Sequence, residues 1–192
     1  LAIQELIENT EKQEKNEFNT GRVKRSVRGL IIDYKFIKRS AEIEEIAGKD
    51  TPITNYLHNL QTTKGSIYLL EISIFDSGEG ILKTFNSEKN ISLEEEVKVI
   101  EKSFAKGETS KAEHQGYGRG LHNVRTILNK RSGFLSLRTG RVSLYRDFNT
   151  NLLTEDEMTP LSLYDEFNRS KNEYKELTHA EGLAISILVP LR

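Results

Sequence analysis

The sequence predicts an α+β sandwich with helices on one face of a mixed sheet. Three observations carry this. The runs 29–37, 66–75 and 183–191 are apolar, rich in β-branched and aromatic residues, and read as strands. Stretches with apolar residues at helical spacing lie between them. The run 66–75 is apolar almost without interruption, the pattern of a strand covered on both faces.

The elements follow in order. Residues 1–17 read as a helix, with Leu1, Ala2, Ile3, Leu6 and Ile7 on one face and Asn19-Thr20-Gly21 as its stop. After the strand 29–37, residues 40–60 read as helical with a break at Thr51-Pro52. Ser92 followed by Glu95 is a capping-box pattern, and 91–104 reads as the helix it opens. Residues 105–115 are a polar loop. Residues 121–130 read as a helix, with Leu121, Val124, Ile127 and Leu128 on one side. Strands are expected at 133–138 and 141–148, around a Thr139-Gly140 turn. Residues 149–178 are polar and acidic and read as an insertion.

The chain has 192 residues, enough for one domain with a core of its own. A formal charge of −1 gives no global attraction to nucleic acid or an anionic membrane. Cysteine is absent, which excludes disulfides, cysteine–zinc sites and a thiol nucleophile, and fits a reducing compartment. His58, His114, His122 and His179 lack metal-ligand spacing. No apolar run reaches membrane-spanning length and no signal peptide is visible, so a cytoplasmic location without a membrane segment is expected. The chain opens at Leu1 rather than methionine and is read as a fragment. A protein partner, or further domains of the parent chain, is expected beside it.

Chemistry concentrates in three places. Glu5 and Asn9 share a face of the first helix, with Lys12 three residues on. By themselves they read as the solvated stripe of an amphipathic helix. As a site they would activate water, ligate magnesium and touch phosphate. Asp76-Ser77-Gly78-Glu79-Gly80-Ile81 closes a strand. It reads either as a turn in which Asp76 caps its own backbone, or as a ligand site. In the second case Asp76 accepts a hydrogen bond from an exocyclic base amine, and Gly78 and Gly80 let a ring approach. Gly116-Tyr117-Gly118-Arg119-Gly120-Leu121 opens a helix, where bare N–H groups suit phosphate. Upstream, Lys106, Thr109, Ser110 and Lys111 offer cations and hydroxyls. The alternative for that stretch is an exposed polar loop. The basic Arg22-Val23-Lys24-Arg25 with Arg28 reads as a solvated strand edge, with a nucleic-acid partner as the lesser reading.

Taken in order, these motifs resemble the GHKL superfamily, the ATP-binding domain shared by gyrase, heat-shock chaperone, histidine kinase and mismatch-repair ATPases. Residues 5–10 (ELIENT) resemble its N box and 76–80 (DSGEG) its G1 box. Residues 104–111 resemble its ATP lid, 116–121 (GYGRGL) its G2 box, and 182–191 (GLAISILVPL) the closing strand of the histidine-kinase branch.

The resemblance implies a Bergerat-type two-layer sandwich over residues 1–192 with a mobile ATP lid at about 82–115. It also implies insertions at about 38–64 and 149–178. ATP and Mg²⁺ are the implied cofactors. Asp76 would bind the adenine amine, Asn9 would hold Mg²⁺, and Glu5 would orient or deprotonate the attacking water. Lys12, Lys111, Thr109 and Ser110 would lie near phosphates wrapped by the amides of residues 116–120, with Gly78, Gly80, Ile81, Tyr117, Arg119 and Leu121 lining the pocket. The family's closing strand often begins Gly-Thr, whereas here Leu183 follows Gly182. Three functions follow: ATP hydrolysis driving a conformational switch, favoured by Glu5; a histidine-kinase catalytic domain; or a nucleotide-sensing scaffold.

Overall fold

Local signals place most helices. In the computed structural model, which describes residues 27–78, 80–85, 91–107, 120–153 and 158–191, Ser40–Ala47 (α1) and Pro52–Lys64 (α2) flank the expected break. Thr51 caps α2 by accepting the Thr54 N–H, and Pro52 sits in the first turn, where its missing donor costs nothing. A six-residue helix, Gly80–Phe85 (α3), follows Asp76. The capping box forms at Leu93–Lys102 (α4): Ser92 Oγ accepts the Glu95 N–H at 3.2 Å and Glu95 accepts the Ser92 N–H at 2.8 Å. Gly120–Arg131 (α5) is the last helix among the described residues. The expected helix 1–17 lies outside the described residues.

The strands are Arg28–Ile37 (β1), Ile67–Asp76 (β2), Phe134–Gly140 (β3), Val142–Asp147 (β4), Tyr164–Asp165 (β5) and Ala180–Leu191 (β6). They form one sheet in the order β1-β2-β6-β3-β4-β5. Every neighbouring pair in it is antiparallel, which corrects the expectation of a mixed sheet. The reason is positional. Helices α3 to α5 connect β2 to β3, and these two strands do run parallel, but β6 lies between them and opposes both.

The helices cover both faces, not one. Along β2, Ile67 and Leu69 join a cluster with Ile43, Tyr56, Leu57 and Leu60 of α1 and α2. Ile72 and Ile74 join a second cluster with Ile81, Val97, Ile100, Val124 and Leu128 of α3, α4 and α5. Side chains alternate across a strand, so these clusters lie on opposite sides. The partners agree: Phe134 opposite Leu188 belongs to the first, Leu135 opposite Ile187 to the second. This explains the unbroken apolar run of β2. Phe134 is the hub of the first cluster, with ring centres 5.1 Å from Tyr56 and 5.7 Å from Tyr145.

The stretch read as a polar insertion feeds the main core. Leu161 and Leu163 are fully buried there beside Phe148. Its polar groups are spent on turns. The buried Asp165 carboxylate accepts the backbone N–H groups of Phe167, Asn168 and Lys175. Asp147 accepts those of Asn149 and Thr150. The Arg146 guanidinium donates to Ser162 O and Asn151 O.

A charged pair clamps α4 to the β3–β4 turn. Glu96 is 1% exposed and accepts from Arg141 N at 2.7 Å and Arg141 Nε at 2.8 Å. Gly140, at φ +52°, leaves no room for a Cβ: one would stand 2.0 Å from Glu96 Oε1. Removing one partner of such a pair strands a buried charge. Arg141→Ala is expected to lower unfolding stability by about 3 kcal/mol, measured by urea denaturation. Phe134→Ala is expected to cost about 3–5 kcal/mol in the same assay.

Candidate functional site

Four strands end beneath α3. In register across β1, β2, β6 and β3 stand Arg28, Asp76, Leu183 and Thr139, one row on the face that carries α3 to α5. The Asp76 carboxylate is half-buried. Its Oδ1 accepts the Gly78 N–H at 2.8 Å. This is the self-capping bond of the turn reading. The turn does not use the other oxygen of this carboxylate, Oδ2. Burial pushes its pKa up, and the Gly78 N–H and the Arg28 charge pull only part of that back. Asp76 is therefore an acceptor held in a partly desolvated position that disfavours its charge.

Close backbone packing fixes this corner. Gly182 has φ +81°, and a Cβ there would lie 1.9 Å from Asp76 O. Gly80 has φ +75°, and its Cβ would lie 2.9 Å from Gly182 O and 3.0 Å from Thr139 Oγ1. Thr139 is buried and donates its hydroxyl to Gly182 O at 2.7 Å. The glycines bring β2, β6 and the start of α3 together beside Asp76. Ile81, one residue into α3, is buried in the main cluster.

The second glycine motif enters at its last two residues. Gly120 is the buried first residue of α5, and Leu121 packs on the main core cluster that holds Ile81. His122, Val124, Arg125 and Leu128 are also buried. Arg125 donates to Thr159 O, and Asn129 Oδ1 accepts the Leu153 N–H at 2.8 Å, so α5 is bolted to the segment after β4. The expected helical periodicity around Leu121, Val124 and Leu128 holds, whereas Ile127 is exposed.

The expected lid, about 82–115, contains α4, and α4 is a core helix. Val97, Ile100, Phe104 and Ala105 are buried. Glu101 accepts the Leu161 N–H through its carbonyl and the Leu163 N–H through its carboxylate. Residues 91–105 thus pack into the main core cluster.

The structure therefore gathers Asp76, Gly78, Gly80 and Ile81 into one corner and sets Gly120 and Leu121 on the same side of the sheet. Glu5, Asn9, Lys12, Thr109, Ser110, Lys111, Gly116, Tyr117, Gly118 and Arg119 lie outside the described residues. Among the described residues no group of three His, Asp or Glu side chains is placed to hold a metal ion, and none of their helices is long and apolar enough to cross a membrane. Sequence reasoning missed Thr139, taken for a turn residue, and read Arg28 as a plain edge charge. Their signal lies in strand register, which is set between segments distant in the chain. Comparison with family models, with curated proteins and with solved structures found no match.

A Cβ at position 182 forces apart the two strands that frame Asp76. Gly182→Ala is expected to destabilise the fold by at least about 2 kcal/mol, read as a lowered midpoint in thermal unfolding by circular dichroism.

Proposed function

We propose that the chain is a Mg-ATP-binding domain of the GHKL type that hydrolyses ATP to drive a conformational switch. The observation that carries this reading is the half-buried Asp76 carboxylate, with one oxygen held by Gly78 N–H and its pKa raised by burial. A carboxylate so placed is suited to an exocyclic purine amine, because each hydrogen bond counts for more where water is scarce. In support, α5 begins at a buried glycine on the same side of the sheet, and a helix N-terminus favours phosphate. The bound nucleotide would supply the phosphoanhydride. The chain's own part is to orient it: Asp76 holds the base, the amides of residues 116–120 hold the phosphates, and Glu5 positions water. Asn9 would hold Mg²⁺. A protein partner, or further domains of the parent chain, would read the switch in the cytoplasm. The place of β6 between β2 and β3, with its likeness to a histidine-kinase closing strand, supports a second reading as a kinase catalytic domain. Acid-labile phosphate on a histidine of the longer chain would favour that reading.

The test exploits opposite signs. A raised pKa in the folded state means that ionised Asp76 is a cost to folding at neutral pH, relieved as pH falls through that pKa. Binding to an amine needs the ionised form. Asp76→Asn is therefore expected to leave the unfolding midpoint unchanged or higher while weakening calorimetric ATP affinity by about 1–3 kcal/mol. In the wild type, affinity is expected to fall as pH is lowered through the raised Asp76 pKa. Unchanged affinity in Asp76→Asn overturns the site. For turnover, Glu5→Ala is expected to retain ATP binding and lose phosphate release.

A further inference from the structure

Among the described residues, the strand β1 stands at the outer end of the sheet. It runs ten residues against β2 without a register shift and contains no proline. Natural edges of this length are usually blunted by bulges, prolines or outward charges. Here Leu30, Ile32, Tyr34 and Phe36 are 42%, 59%, 55% and 46% exposed. Tyr68 of β2 continues the patch, stacked 4.7 Å from Phe36 and 6.4 Å from Tyr34. Lys35, the residue best suited to guard the edge, is drawn back onto Asp33 and Glu71 at 2.7 and 3.0 Å.

The backbone hydrogen bonds reveal which residues face outward. Ser77 donates its N–H to Val27 O at 3.0 Å, and the Val27 N–H bonds Ser77 Oγ at 2.8 Å. This pair continues the β1–β2 ladder by one step. Hydrogen-bonded pairs alternate in an antiparallel ladder, so the odd-numbered residues of β1 bond to β2. Leu30, Ile32, Tyr34 and Phe36 turn their N–H and C=O groups to the open side. Those residues also carry exposed apolar side chains, as does the odd-numbered Ile31 on the other face.

We infer that β1 pairs antiparallel with β1 of a second copy of this chain, about a two-fold axis at Tyr34. Outward backbone groups at even positions require even residues to oppose even residues, which leaves few registers. An axis at Asp33 sets Asp33 against the partner's Asp33. An axis at Lys35 sets Lys35 against the partner's Lys35. An axis at Ile32 leaves both charges facing uncharged residues. An axis at Tyr34 opposes Asp33 with the partner's Lys35, twice, and Ile32 with the partner's Phe36, twice. Tyr34 then meets the partner's Tyr34 at the centre. This register alone joins complementary charges on one face and an apolar, aromatic belt on the other. It also satisfies the open backbone edge and joins the two sheets into one.

The experiment is sedimentation of the full chain over a concentration series. The wild type is expected to rise from the mass of one chain to that of two. Asp33→Lys opposes lysine to lysine, and Lys35→Glu opposes aspartate to glutamate, so each variant alone is expected to stay at one chain. Mixed in equal amounts they restore both attractions, and the two-chain species is expected to return. A wild type that stays single at every concentration overturns the inference, as does a dimer that survives in both variants. Amide exchange on the wild type gives an independent reading that needs no variant. The N–H groups of Ile32, Tyr34 and Phe36 are expected to exchange more slowly as concentration rises. Protection that does not change with concentration means that another segment of the same chain covers the edge, and overturns pairing between copies.

Discussion

Nearly everything in this fold depends on the pairing of β6. Its residues bond to β2 on one side from Leu183 to Leu191 and to β3 on the other from Ala180 to Leu188. Take it away and the sheet falls into two unconnected parts, β1-β2 and β3-β4-β5. Both hydrophobic clusters lose their middle, since Ile185 and Ile187 serve one and Leu188 the other. The strand is also the last of the six in sequence. The sheet therefore closes through contacts between residues far apart in sequence, and such contacts form slowly because a large loop entropy must be overcome first. Gly182 adds a local condition. Its left-handed backbone lets the strand begin hard against the carbonyl of Asp76.

The same pairing builds the candidate site. Asp76 is at the end of β2, and its position relative to Leu183 and Thr139 is set by β6. Arg28 reaches the row from β1, and its charge offsets part of the cost of burying the carboxylate. On the far side, the Glu96–Arg141 pair fixes α4 to the turn that follows Thr139. Three separate constraints hold the corner: close glycine contacts, a buried ion pair and a central strand. Rigid surroundings keep a polar group in place when its own environment disfavours its charge.

What the sequence disclosed was what neighbours in sequence decide. Ser92 and Glu95 announced α4, and Thr51-Pro52 announced the break before α2, because capping is settled within one turn. The unbroken apolar run of β2 was legible too and implied cover on both faces, although the expected architecture placed helices on only one. What covers each face was not legible. Ile43, Tyr56 and Leu60 make an apolar stripe on α1 and α2, and a stripe does not say which side of a sheet it will meet. The antiparallel sheet was hidden because only the position of β6 separates β2 from β3. Leu161 and Leu163 were hidden by the polar residues around them. At the site, Asp76 and Gly80 showed themselves through local spacing. Their partners Thr139 and Gly182 lie on other strands, so their part in the corner appears only with the register.

The segment from Asn149 to Thr178 illustrates how a polar stretch becomes part of a core. Two leucines anchor it, and the buried carboxylates of Asp165 within it and of Asp147 just before it hold its turns. Asp165 gathers three backbone amides from residues on either side of a turn, and Asp147 gathers two more. Shape in this region is written in main-chain bonds rather than in the identity of the outer side chains. Such a segment is unusually free to drift: its solvent-facing letters can be rewritten, or a short peptide spliced between them, while a handful of inward anchors keep the path.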